Sequence, residues 1–371
     1  MDAERGGSKR GLLADGKATK DEKRRKWEAK QARAQTEQRK EAARQDWIER
    51  NREFASAVSM EDAELVLTSS HPDTALGEAL KPYINIQDRP IDENLFIAEG
   101  TETVRLLLNQ ICKPKLREEP FRLKSIFAKP SVIFDEPVLL LNDVEQAATA
   151  SSSRKPVENQ NVFKVIIGSE KVLSSVVGFH MVRGVLACGE RPLHRDEDWL
   201  DSFILRQHGE KQGRLRILAL DGICDTSNMG SMIRSASAFG IDAVVLSNDC
   251  CDAWYRRSIR VSMGHVFLVP TIRVNNLADT IKKWTSHSTS PVISYAAVID
   301  PDADFILEDM SRGDVPNKWA LVMGNEGNGI SKQVAASCSK RIRIKMVNGV
   351  DSLSVPIATG ILLHGLQERE N

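Results

Sequence analysis

Between Arg214 and Pro270 the sequence switches between two hydrophobic periods, and this switch constrains the fold more than any other feature. The apolar run Ile217-Leu218-Ala219-Leu220 stops at Asp221-Gly222-Ile223-Cys224-Asp225, and apolar residues return at Met232, Ile233, Ala236 and Phe239 with helical spacing. Gly240 is placed to close that helix, and Ile241-Asp242-Ala243-Val244-Val245-Leu246 reads as a buried parallel strand. A βαβ unit follows, and with it an α/β domain. Open α/β sheets place ligands at the loops beyond the carboxyl ends of their strands, so Asp225, Asn228 and Arg234 are candidates for chemistry; the plain alternative is a turn with an N-cap.

Two later stretches repeat the strand-to-loop form. Trp319-Ala320-Leu321-Val322-Met323 runs into Gly324-Asn325-Glu326-Gly327-Asn328-Gly329-Ile330-Ser331, and Arg341 to Met346 leads into Asp351-Ser352-Leu353-Ser354-Val355-Pro356-Ile357-Ala358. Glycines at 324, 327 and 329 would let a ligand lie against backbone. Their order, Gly-x-x-Gly-x-Gly without a following Walker lysine, differs from the phosphate loops of dinucleotide and P-loop folds.

In order and interval the three stretches resemble the motifs of the SpoU (TrmH-like) family of RNA 2′-O-ribose methyltransferases, in the SPOUT class. The resemblance rests on Asn228, Gly230, Arg234, Ala236, Phe239 and Gly240 for the first motif, Gly324 to Gly329 for the second, and Ser352, Leu353, Val355 and Ala358 for the third, and covers roughly residues 214 to 366. It implies a trefoil-knotted parallel sheet, S-adenosylmethionine as cofactor, and methylation of a ribose 2′-hydroxyl in structured tRNA or rRNA, with guanosine the family's habitual base. Arg234 would clamp the phosphate beside the target ribose, since a guanidinium grips two oxygens in a fixed fork, and would assist deprotonation. Asn228 would hold polar groups of loop or ribose, Glu326 would anchor the second loop against the first, and Ser352 and Ser354 would complete the catalytic set. Gly324, Ile344, Met346 and Leu353 would line the cofactor pocket.

The sequence departs from the family pattern at two positions: Thr226 stands where proline is usual, and Ser354 where asparagine is usual. A serine reaches less far and offers a different donor and acceptor set. A second expectation therefore stands beside the enzyme: a catalytically weak or silent RNA-binding or assembly factor that keeps the fold. Family habit also implies a homodimer, with the apolar segment Leu353 to Leu366 as part of its interface; no metal is expected.

The remaining sequence divides the 371 residues into an extension (1–58), a smaller α/β domain (59–192), a linker (193–213) and the domain just described (214–371). Lys17 to Arg52 is rich in Lys, Arg, Glu, Gln and Ala, with Trp27, Trp47 and Ile48 nearly its only large apolar residues. It predicts a solvated charged helix or a disordered tail, and the basic cluster Lys23-Arg24-Arg25-Lys26 leaves an RNA-tethering arm or nuclear signal as the functional alternative. Over the whole chain Lys plus Arg and Asp plus Glu both number 51, so any RNA contact must come from a local patch. Residues 59–192 alternate short strands and helices; Phe96 to Gly100 and Gly178 to Ala187 resemble the L30e-like substrate-binding domain of many SpoU enzymes, and Ala147 to Asn161, rich in Ala, Ser and polar residues, reads as a surface insertion within it. His180 and Arg183 there are either structural or RNA contacts. Six cysteines without paired spacing, and no apolar run near the ~20 residues of a membrane span, predict a soluble protein of the cytoplasm or nucleus, an organelle being left open.

Overall fold

The computed structural model describes residues 20–53, 55–63, 75–86, 92–113, 121–135, 140–152, 163–192, 197–210, 213–286, 291–311, 313–347 and 352–369. Two compact units, Met1–Arg52 and Glu53–Asn371, divide the chain. In the first, Lys20–Arg50 forms one helix held by near-neighbour ion pairs such as Arg24–Glu28 (3.4 Å) and Arg50–Asp46 (2.9 Å). Trp27 is 61% exposed, as expected of a helix without an apolar stripe.

The second unit contains two sheets. The first comprises β1 (Ala55–Val58), β2 (Leu95–Glu99), β3 (Leu123–Ala128), β4 (Lys164–Gly168) and β5 (Val185–Glu190), in the order β1-β4-β3-β5-β2. β1, β4 and β3 run parallel, while β5 lies antiparallel to β3 and β2. Its core gathers Tyr83, Ile97, Phe127, Ile166, Leu173 and Leu186.

The second sheet comprises β6 (Leu215–Leu220), β7 (Ala243–Leu246), β8 (Thr271–Arg273), β9 (Ile293–Ala297), β10 (Phe305–Ile306), β11 (Lys318–Met323) and β12 (Lys340–Arg343). Its order is β10-β12-β9-β11-β6-β7-β8, with every ladder parallel. All residues of β6 and β7 are buried, because helices cover both faces and neither strand has a wet side. That is why these strands read as continuous apolar runs. The Thr226–Ala238 helix follows β6, and the C-terminal helix Val355–Glu368 packs beside it. The axial order of β9-β11-β6-β7 brings the first loop, after β6, next to the second, after β11.

The sheets meet through an aromatic cluster. Phe96 on β2 lies 5.3 Å from Phe267 and 5.7 Å from Trp254, while Phe121 lies 5.2 Å from Phe267, centroid to centroid. Arg191 closes one flank, pairing with Asp252 at 2.8 Å. On the other, Glu99 faces Arg260 at 3.4 Å and Arg256 at 3.9 Å.

Three sequence expectations need correction. Residues 55–58 belong to the first sheet as β1, so the extension ends before residue 58. The expected linker holds a helix, Glu197–Glu210, whose Leu200, Phe203 and Ile204 enter the core of the second sheet. Helical spacing of these apolar residues among acids conceals a packed face in a charged stretch. The Ala147 to Asn161 stretch, expected as an insertion, begins inside the Leu141–Ser152 helix with Ala147 and Ala148 buried. Residues 153–162 lie outside the described residues, as do 193–196, 211–212 and the first 19 residues of the extension.

Candidate active site

The first loop is pinned by its neighbours at almost every residue. The Asp221 N–H donates to the Met323 carbonyl at 2.9 Å, and the Asp221 carboxylate accepts from the Ser331 N–H at 2.8 Å. Gly222 donates to Ser247 Oγ (2.9 Å), and its carbonyl accepts from Asn325 Nδ2 (2.7 Å). Asp225 caps the Thr226–Ala238 helix, accepting from the N–H groups of Ser227 and Asn228 at 2.8 Å each. Such a cap meets orphan donors of the first turn and fixes the entry angle of the helix.

Asn325 is the clasp between first and second loops. Besides reaching Gly222, it exchanges backbone hydrogen bonds with Gly329 (3.0 and 2.9 Å) and accepts from the Gly327 N–H at 2.8 Å. This closes the second loop into a tight ring, and the ring explains its glycines. A Cβ at Gly324 would stand 2.1 Å from the Gly329 carbonyl carbon and 2.2 Å from the Ile330 nitrogen. Gly329 turns the chain at φ +65° with nothing near the position of a Cβ. The sequence reading assigned Gly324 to ligand access; its lack of a side chain also lets the loop cross itself.

Behind the ring opens a cleft of about 750 Å³ lined by Gly324, Glu326, Ile344, Met346, Ser352, Leu353 and Ser354. Seven of the nine site residues singled out by sequence thus converge on one cavity, drawn from all of the second loop, the end of β12 and the start of the C-terminal helix. Asn228 joins them from the first loop by donating a hydrogen bond from Nδ2 to Glu326 Oε1. Arg234 stands apart: it is exposed on the Thr226–Ala238 helix and does not line the cleft, while its charge reaches His265. Ser354 occupies the N-cap of the C-terminal helix, but its side chain makes no capping hydrogen bond; its carbonyl accepts from the Ala358 N–H at 3.0 Å.

Sequence reasoning missed two supports. Asp221 was read only as part of the polar turn after a strand, although its carboxylate ties the first loop to Ser331. Arg273 staples the loop beyond β7, donating to the carbonyls of Ser247, Asn248, Cys250 and Cys251 at 2.9–3.0 Å. Burial raises the thiols of Cys250 and Cys251 above their ordinary value, that of Cys251 to about 12, so both stand as neutral packing groups. Among the described residues no cluster of His, Cys, Asp and Glu could hold a metal ion.

The cleft's volume lies within the range of roughly 300–1,000 Å³ typical of small-molecule sites, and its lining is mostly apolar with a few converging polar groups. Backbone amides of the ring, Met346 and Leu353 could hold a flat heterocycle, and Glu326, Ser352 and Ser354 its polar substituents.

Residues 216–364 match the family model described as the SpoU rRNA Methylase family. An uncharacterised tRNA/rRNA methyltransferase of Mycobacterium tuberculosis is 32% identical over 196 residues, which are 53% of this chain and 63% of the relative. The match thus spans less than two thirds of that relative's length. Among solved structures, an rRNA methyltransferase from Sinorhizobium meliloti with AdoMet bound aligns at TM-score 0.54 and 20% identity, over 84% of this chain and 97% of the other. The SpoU methyltransferase AviRb from Streptomyces viridochromogenes, in complex with the cofactor AdoMet, aligns at TM-score 0.53 and 16% identity, over 83% and 96%. At these identities the structures establish a shared α/β fold with a parallel sheet.

Proposed function

We propose, from the premise that residues 216–364 form a SpoU-family domain, that this chain transfers a methyl group from S-adenosylmethionine to the 2′-hydroxyl of a ribose in tRNA or rRNA, guanosine being the preferred base. The observation that carries the reading is the convergence of second- and third-loop residues on one cleft whose rim is hydrogen-bonded, through Asn228 and Glu326, to the first loop. The residues fit the cofactor: the ring at Gly324–Gly329 offers backbone donors and acceptors, while Ile344, Met346 and Leu353 offer apolar walls. Bound there, S-adenosylmethionine supplies an electrophilic methyl on a sulfonium.

The chain's part is to hold the ribose oxygen in line with that methyl and to take up its proton. Asn228 and Glu326 fix the loop edge at which the ribose enters. Arg234 holds the neighbouring phosphate in a bidentate fork, which places the hydroxyl and favours its ionised form. The position of Arg234 outside its own chain's cleft is accounted for if two copies complete each other's sites. Ile357 and Ile361, 56% and 38% exposed on the C-terminal helix, supply an apolar stripe for such a homodimer. We include in the proposal the family's trefoil knot, an L30e-like RNA-binding role for the 55–190 sheet, and an intracellular location.

Incubating the chain with a tritiated methyl donor and total RNA tests the reaction, and Arg234→Lys tests its geometry. The lysine keeps the charge but loses the fork, so methyl transfer should fall by orders of magnitude with donor affinity unchanged. Transfer at the parental rate would remove Arg234 from the mechanism. Donor binding without any methyl incorporation would favour the silent RNA-binding reading, in which Ser354 has cost the site its activity.

A further inference from the structure

The junction of the two sheets carries more positive charge than it neutralises. Glu99, at the end of β2, is 5% exposed, and one of its oxygens, Oε2, faces both Arg256 and Arg260. Arg183 lies across the next residue, with its Cδ 3.1 Å from where a Gly100 Cβ would stand. Two guanidiniums therefore face one carboxylate, and a third arginine, Arg183, packs against the neighbouring Gly100. The other cations of this edge are paired differently: Lys129 meets Glu170 at 3.1 Å. Arg256 rests on the Phe179 ring, its guanidinium carbon 5.1 Å from the centroid, and its side chain is 18% exposed against 35% for Arg260. Arginines so held are pre-ordered: the carboxylate fixes part of both heads, and the Phe179 ring adds a second hold on Arg256.

The cluster is also joined to the candidate active site. Arg256 and Arg260 belong to the Arg256–Val261 helix, which packs so closely on the Thr226–Ala238 helix that a Cβ at Gly230 would stand 2.6 Å from the Ser258 carbonyl oxygen. Beyond that helix, His265 lies within reach of the charge of Arg234. A rigid path therefore links the arginines round Glu99 to the helix carrying Arg234.

We propose that Arg183, Arg256 and Arg260 form a second phosphate grip for the RNA, positioned by Glu99 at the junction of the sheets. It holds the RNA backbone at a fixed offset from the ribose presented near Arg234. This rests on the reading of the chain as an RNA methyltransferase, but it can fail separately. Neutralising one phosphate contact lowers the slope of log affinity against log salt by about 0.7–0.9. The full chain, titrated with a fluorescein-labelled RNA of random sequence from about 50 to 200 mM salt, should lose that much slope in Arg260→Gln and again in Arg183→Gln. Lys282→Gln, which removes a charge paired with Asp279 at 3.5 Å, should keep the parental slope. Affinity for S-adenosylmethionine should match the parent in all three, which also reports that each is folded. A parent that binds RNA but does not methylate it sinks the enzymatic reading and leaves this test standing. Unchanged slopes in both arginine variants overturn the grip alone, and a parent with no RNA affinity overturns both.

Discussion

The cleft and the junction are two hard-worked regions of one compact unit, and they are held together by opposite means. Around the cleft the loop ties end on backbone groups: Asn325 and Gly329 exchange main-chain bonds, the Asp221 carboxylate takes the Ser331 N–H, and the Asn325 amide reaches the Gly222 carbonyl. At the junction both partners are side chains, Phe96 on Phe267 and Glu99 on Arg260. The first kind demands particular residues in a particular order. The second demands only that some large ring, or some opposite charge, arrive from elsewhere.

The largest effect should come from closing the room at the ring. Gly324→Ala would place a methyl about as far from the Gly329 carbonyl carbon as a stretched covalent bond, since the built Cβ stands at 2.1 Å, and the obstacle is backbone that cannot rotate away. We expect S-adenosylmethionine binding by calorimetry to be lost, with a lower Tm and a fold still intact by circular dichroism. A normal isotherm would mean that the ring is not a closed unit.

This difference in ties decides what a single sequence discloses. Gly324, Asn325 and Gly329 were legible because only glycine, or a side chain that mimics backbone, can satisfy a ring so tight. Glu326 was legible because it stands at a fixed offset from those glycines, and Asn228 because it belongs to the first of the three motifs. Strands β6 and β11 announced themselves by apolar runs, a consequence of burial on both faces. Glu99 gave no such signal: a glutamate ending a strand looks solvated, and the arginines that claim it lie over 150 residues away, its contact with Arg260 spanning 161 positions. The Glu197–Glu210 helix was mistaken for a linker for a related reason. Its acids and its glutamine are local facts, whereas the core that receives Leu200 and Phe203 is built from β6, β7 and β8.

A middle-sized effect should follow from weakening the junction. Phe96 is fully buried and touches rings from both sheets, so Phe96→Ala should cost about 3–5 kcal/mol of unfolding free energy, as large aromatic truncations in cores do. If the two sheets are one cooperative body, urea melts followed by tryptophan fluorescence and by circular dichroism should shift together. Two separated transitions would show that the junction, unlike the cleft, is an interface between bodies that fold alone, and the path from Glu99 to Arg234 would lose its rigidity.

The smallest effect concerns His265, which stands where the two regions touch: it follows Gly264, where a Cβ would lie 3.2 Å from Thr103 of the first sheet's Thr101–Cys112 helix, and precedes Phe267 of the aromatic cluster. Burial, and secondarily the charge of Arg234, hold its imidazole below the ordinary histidine value, and its Nδ1 is buried without a hydrogen-bond partner. The folded chain therefore resists protonation that the unfolded chain accepts near pH 6.5. The sign follows from linkage: a depressed histidine leaves stability untouched above that value and subtracts from it as pH falls through it, because the unfolded state then binds more protons. We expect Tm to decline between about pH 7.5 and 5.5, and His265→Gln to flatten part of that decline while leaving Tm at the upper pH nearly unchanged. RNA bound beside Arg234 would offset that arginine's charge and raise the imidazole toward its ordinary value, so the histidine's titration, followed by NMR with and without RNA, should move upward on binding. A titration that ignores RNA would place the bound phosphate away from Arg234, and the junction and the cleft would then grip their ligands independently.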